Sequence, residues 1–390
     1  MNHKTLGIYI HIPFCVQKCL YCDFISGPAS LHIQQDYVNC LLKETDMRTK
    51  QPYCLSSEDR CPVETVFIGG GTPSILDADL IRQILCKLKE VFLFSENYEC
   101  TIEVNPGTVE FDKLKKYREA GINRLSIGLQ SCNDNELKAL GRIHDYSAFE
   151  ETYRLARKAG FENINVDLMS SIPEQTEKSF VNSLKKIAEL KPEHISVYSL
   201  IVEEGTPFFD MDLKLPDEEE ERNIYYATGR ILSEYGYKQY EISNYAKPGK
   251  ECRHNIRYWQ CDAYLGFGVA AASYLNGVRW KNTEDINQYI QHMRSASINS
   301  NLESDDFYCE KELLTNDDKC SEFMFMGLRM NAGISEIEFM KQFGCTTEEK
   351  YGDIIEKHIR SGLLRRENQR IQLTDKGRDV CNYVMADFLL

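Results

Sequence analysis

The chain reads as an α/β protein, an open barrel of six strand–helix units followed by a mainly helical, winged-helix-like domain. Three observations predict this. Short β-branched and aromatic runs recur up to about residue 200. Helical patterns with apolar residues three and four apart separate them. Each run ends at small or polar residues.

The first strand is "LGIYIHIPF", with near alternation. The next five are "TVFIGGG", "CTIEVNP", "NRLSIGLQS", "NINVDLMSSIP" and "HISVYSLIVEEG". Between them lie "ADLIRQILCKLKEVF", "EFDKLKKYREAG", "SAFEETYRLARKAG" and "EKSFVNSLKKIAELKP", the last three closing on Gly or Pro as helix ends do. Such alternation implies parallel strands with right-handed crossovers. Ligands then belong at the C-terminal ends of the strands.

"LPDEEEERNIYYATGRILSEYGY" is a further helix whose acidic first turn suits the helix dipole. From about 241 to 280 the chain is rich in Gly and aromatics and reads as irregular. "SASINSNLESDDF" reads as a linker. The end, "SGLLRRENQRIQLTDKGRDVCNYVMADFLL", suggests a helix, a polar hairpin and a final helix. It is not strongly basic, which favours a packing or lid role over DNA binding. The expected domains are 1–240, 241–305 and 306–390.

Composition narrows the function. A net charge of −14 over 390 residues disfavours nucleic acid. No apolar run approaches the ~20 residues of a spanning helix, and no signal peptide is read at the start. The expected location is the cytoplasm, where thiols stay reduced and close-spaced cysteines read first as metal ligands.

Of fifteen cysteines, Cys15, Cys19 and Cys22 follow the first strand at spacings of four and three. Four thiolates hold an iron–sulfur cube in an electron carrier. Three would leave one iron open to a chelating ligand. Phe14, Tyr21 and Phe24 interleave the trio and would shield the cluster. A zinc site completed by Cys252 and His254 is the weaker alternative.

"GGGTP" follows a strand and lets a ligand approach the backbone, although it matches neither a Walker loop nor a dinucleotide fingerprint. Glu103 ends its strand, where a carboxylate can accept bonds from ribose hydroxyls. Gln130, Arg142 and Asp167 lie at or beyond later strand ends. Arg142 could clamp a carboxylate, and Asp167, inside "INVDLM", needs a partner. Ordinary structural bonding remains open for all of these. His254, in "CRHNIRYWQC", is either a heme ligand or a hydrogen-bonded structural histidine.

The C-x3-C-x2-C loop after a first strand resembles the radical S-adenosylmethionine (SAM) superfamily. There SAM chelates the open iron, and an electron from the cluster cleaves it to a 5′-deoxyadenosyl radical. "YIHIPFC", "FIGGGTPS", "IEVNPG", "SIGLQS", "GRIH" and "NVDLM" resemble, in order, the oxygen-independent coproporphyrinogen III oxidase family. "HNIRYW" resembles its heme-chaperone branch.

The resemblance implies a 4Fe-4S cluster on Cys15, Cys19 and Cys22. It implies SAM against Gly70, Gly71, Thr72, Glu103, Gln130, Arg142 and Asp167, with Tyr9, Tyr21 and Phe24 packing nearby. It also implies heme on His254, with Cys252 in reserve, an electron donor of flavodoxin or ferredoxin type, and a heme-acceptor protein of unknown identity. Two functions compete: a heme chaperone, and a coproporphyrinogen III dehydrogenase. The dehydrogenases carry a further cysteine two residues past the third one, where this chain has Phe24, and a longer N-terminal segment. A radical SAM enzyme acting on tRNA is disfavoured by the acidic charge.

Overall fold

The computed structural model describes residues 5–48, 61–297 and 307–389. Six parallel strands, β1 (Leu6–Ile12), β2 (Val63–Gly70), β3 (Phe94–Val104), β4 (Arg124–Gln130), β5 (Ile164–Ser170) and β6 (His194–Ser199), stand side by side in chain order. All six are the expected ones. Ile8, Ile10 and Ile12 are fully buried in the main apolar core. Gly7, Tyr9 and His11 therefore share the opposite, inner face, because side chains alternate along a strand. The sheet stays open: β6 has β8 (Asn244–Ala246) as its outer neighbour, and β1 has β9 (Tyr264–Phe267).

The crossover helices are α1 (Leu31–Arg48), α2 (Ala78–Val91), α3 (Phe111–Ala120), the short α4 (Asp134–Ala139) with α5 (Tyr146–Lys158), and α6 (Glu177–Glu189); α7 (Glu218–Glu234) follows β6. Several of their starts are capped by side chains, among them Asp77 for α2, Asp145 for α5, and capping boxes at Thr176–Ser179 and Asp217–Glu220. Helix α3 stops at Gly121, whose φ of 105° only glycine adopts readily.

Two stretches depart from expectation. Helix α1 has no counterpart among the expected helices, because polar groups occupy its buried face. Glu44 and Arg48 are wholly buried and paired at 2.8 Å. Glu44 also accepts from Gly268 N and Tyr289 OH, both at 2.8 Å.

The stretch from 241 to 280, expected as irregular, instead extends the sheet. After β7 (Lys238–Gln239) and β8 come α8 (Arg253–Trp259), then β9, parallel to β1. Next are β10 (Ala272–Leu275) and β11 (Val278–Asn282), both antiparallel. After α9 (Ile286–Ser295), β12 (Tyr308–Leu313) pairs with β11. Most of the expected linker, 298–306, lies outside the described residues.

The last unit has its own core, including Met324, Phe339, Ile355 and Val384. Its order is α10 (Asn316–Leu328), β13 (Ile334–Ser335), α11 (Glu336–Phe343), α12 (Thr347–Arg360), the hairpin β14–β15 (Leu364–Glu367, Arg370–Leu373), α13 (Asp375–Asp379) and α14 (Cys381–Ala386). Helices around a three-stranded antiparallel sheet ordered β13-β15-β14 make the winged-helix arrangement. Among the described residues, no helix is long and apolar enough to cross a membrane.

Candidate functional site

A cavity of about 440 Å³ opens at the C-terminal ends of β1 to β6. Cys15, Cys19 and Cys22 line it, as do Tyr21, Phe24, Gly70, Gly71, Thr72, Glu103, Gln130, Arg142 and Asp167. Six different strand ends thus bring together nearly every residue singled out from sequence. Tyr9, His254 and Cys252 stand apart.

The cysteine loop is held by backbone. Cys15 N donates to Gly27 O at 3.0 Å, Thr72 N to Phe14 O at 2.7 Å, and Gly71 N to Ile12 O at 2.9 Å. The "GGG" turn therefore grips the loop directly. A Cβ on Gly71 would stand 2.7 Å from Phe14 O and 3.0 Å from Cys15 Sγ. Gly70 has a φ of 113°, and a Cβ there would meet the His11 ring at 2.7 Å. Both glycines are thus required by close approach.

All three cysteines are free thiols. Thr72 Oγ1 lies 3.4 Å from Cys15 Sγ, and Arg142 Nη1 donates to Cys19 Sγ at 3.5 Å. Burial pushes the Cys22 thiol up. Among the described residues, no three His, Cys, Asp or Glu side chains converge on one point as ligands of a single ion would. A cube asks for something else: one thiolate on each of three separate irons. Three free thiols on one wall, beside a guanidinium and donor groups, fit that demand.

Beside the cysteines, Arg142 is clamped by Gly128 O at 2.6 Å and Asn105 Oδ1 at 2.9 Å, while Asn105 Nδ2 donates to Thr72 Oγ1 at 2.8 Å. Arg142 Nε and Gln130 Oε1 are buried without a partner. Buried polar groups are rarely left so, which marks them as ligand-facing. Gln130 also has a φ of 75°, a left-handed conformation that aims it inward. Burial and the neighbouring Asp167 raise the Glu103 carboxyl to about 8, partly offset by Gly70 N donating at 3.1 Å. Asp167, raised by burial, accepts from Asn165 Nδ2 at 2.8 Å and Ser126 Oγ at 3.1 Å. The partner its sequence context demanded is this pair. The set can receive a ligand carrying amino, carboxylate and hydroxyl groups.

His254 and Cys252 are not at this cavity. His254 is 1% exposed, with Nδ1 at 2.8 Å from Thr65 Oγ1 and Nε2 at 2.9 Å from Tyr258 OH. Phe67 stacks on its ring, 5.4 Å between centroids. Burial lowers its pKa to about 3, so it is neutral. Cys252 is wholly buried and faces Glu99. In this conformation both ring nitrogens of His254 are hydrogen-bonded and Cys252 Sγ faces Glu99, so heme ligation by either would require these contacts to open.

The rest of "HNIRYW" works as a clasp. Arg257 donates to Thr5 O at 2.8 Å and Ala263 O at 3.1 Å. Trp259 packs under Arg329 of the last unit at 4.4 Å. Asn255 reaches the cavity, a site residue that sequence reasoning passed over. So are Asn105, Ser126, Asn165, Ser196 and Tyr198. Inward-facing polar positions near strand ends were the available signal.

Comparison with known proteins agrees with this geometry. Residues 9–187 match the radical SAM superfamily, and 314–380 match the HemN C-terminal domain. The chain is 34% identical to the heme chaperone HemW of Lactococcus lactis, over 100% of this chain and 99% of that one. It is also 34% identical to the heme chaperone HemW of Escherichia coli, over 98% of each. The chain belongs to the HemW family. Among solved structures, Escherichia coli HemN, described as a coproporphyrinogen III oxidase and a radical SAM enzyme, superposes with a TM-score of 0.84. Identity there is 25%, covering 100% of this chain and 91% of that one.

Proposed function

We propose that the chain is a heme chaperone, acting in the cytoplasm, that binds heme and passes it to an acceptor protein. It carries a 4Fe-4S cluster on Cys15, Cys19 and Cys22 and takes up SAM between the "GGG" turn, Glu103, Gln130, Arg142 and Asp167. When bound, the cluster supplies one-electron reduction and an open iron for SAM. A flavodoxin- or ferredoxin-type protein provides the electron. No nucleic acid is involved.

The observation that carries this reading is end-to-end identity with proteins named heme chaperone HemW. Phe24 supports it locally. It stands where the dehydrogenases are expected to carry another cysteine, and it is 58% exposed at the cavity mouth. Oxidation of coproporphyrinogen III is the competing reading, favoured by the likeness to HemN.

An anaerobic assay with SAM, reductant and coproporphyrinogen III, run on the cluster-loaded chain, separates the two. The chaperone reading predicts no protoporphyrinogen. Turnover would install the oxidase instead.

A further inference from the structure

A second cavity of about 400 Å³ lies on the other side of Phe24, between β1 and the β9–β11 extension. Its volume is that of a small-molecule site. Tyr9, Phe24, Tyr258 and Tyr264 wall it, Tyr258 coming from the "HNIRYW" stretch. Four aromatic rings suit a flat, largely apolar ligand that can stack. Tyr9 lines this second cavity.

Tyr9 OH lies 3.1 Å from His11 Nδ1, and His11 Nε2 lies 3.0 Å from Ile25 O. A carbonyl oxygen only accepts, so Nε2 carries the proton. In the neutral ring Nδ1 is then an acceptor, and Tyr9 must donate to it. The phenol is thus coupled to a base, with its oxygen lone pairs left for another partner. The His11 ring is fixed by Gly70, which has no Cβ to displace it.

Building on the chaperone reading, we propose that heme occupies this second cavity, with the Tyr9 phenol oxygen as the axial ligand of ferric iron. Tyrosine is an established heme ligand type. On binding, the O–H bond of Tyr9 breaks, the O–Fe bond forms, and the proton leaves through His11 to solvent, with no change of iron oxidation state. Burial first, and Glu103 second, disfavour a bare phenolate at Tyr9, and iron(III) offsets both. Lys281 at the rim is paired with Glu284 at 2.5 Å, and Asp23 lies beside them. The rim therefore carries a net negative charge, so the heme propionates would have to turn to solvent and affinity comes from ring stacking and the iron bond. Phe24 would then separate heme from the SAM cavity.

The test is titration of the cluster-loaded chain with ferric heme, followed by resonance Raman and optical spectra. The wild type should show phenolate–iron modes. Tyr9→Phe should lose them and at least tenfold in heme affinity, with iron and sulfide of the cluster unchanged. Phe24→Asp, at an exposed position that folding does not depend on, should also weaken heme. If Tyr9→Phe loses the cluster too, Phe24→Asp and His11→Gln decide. Unaltered heme affinity and spectra in those two, or in a folded Tyr9→Phe, would overturn the proposal. A wild-type chain that binds no heme would instead bring down the chaperone reading itself.

Discussion

Replacing Gly71 by alanine should loosen the cluster without touching a thiol. The added methyl group would stand 2.7 Å from Phe14 O, 2.9 Å from Ser26 Cβ and 3.0 Å from Cys15 Sγ. All three sit on the cysteine loop, which is pinned to this turn by the bonds from Gly71 N and Thr72 N. The loop must therefore move. Overpacking of this kind costs about 1–3 kcal/mol. At tenfold per 1.4 kcal/mol, that is roughly a 5- to 150-fold shift toward the open loop. Anaerobic reconstitution followed by chelator challenge should show iron lost faster by a factor in that range. Gly27, in the same loop, has nothing within 4 Å of an added Cβ, so Gly27→Ala is the control and should match wild type. Equal iron retention in Gly71→Ala and wild type would refute the account of how the turn holds the loop.

Replacing Cys15, Cys19 and Cys22 together by alanine should abolish cluster iron, whereas Cys86→Ala, on the exposed face of α2, should leave the iron assay unchanged. Glu44→Ala should destabilise the chain by about 3–5 kcal/mol in denaturant unfolding, because it leaves Arg48 buried without its counter-charge; the exposed Glu90→Ala should change little. In the metal-free chain, Glu103 should make stability fall as pH rises. The folded carboxyl, raised to about 8, keeps a proton that the unfolded chain has lost above its usual value of 4.5. The folded state then binds one proton more, and stability drops by about 1.4 kcal/mol per pH unit at most between roughly pH 5 and 8. Glu103→Gln should flatten that part of the profile.

Legibility from sequence followed the physics of each element. The six parallel strands turn one face to the apolar core and are rich in β-branched residues, so they stand out as short apolar runs; all were readable. Helix α1 was not, because its buried side mixes Gln34, Glu44, Thr45 and Arg48, which periodicity counts as exposed, with Tyr37, Val38 and Leu41. Strands β9 to β11 are four or five residues each, with Gly266 inside β9 and Gly268 and Gly277 between strands, so they read as irregular. The pairing of β9 with β1, on which β10 and β11 build, is non-local.

Site residues were legible where they sat at strand ends. Cys15, Gly71, Glu103 and Arg142 meet at one cavity because the strand ends converge there. His254 lies outside that cavity. Its aromatic neighbours suggested a heme face, but Thr65, Phe67 and Tyr258 enclose it. Nothing local to "HNIRYW" tells a buried clasp from an open ligand. Only the packing of α8 against β2 does so.

The most direct test of the central claim is the heme stoichiometry of the purified, cluster-loaded chain, measured by anaerobic titration with iron and sulfide counted on the same sample. The chaperone account predicts saturation at about one heme per chain with the cluster retained, as separate sites on either side of Phe24 require. Absence of saturable heme binding by a chain with its cluster intact would contradict it.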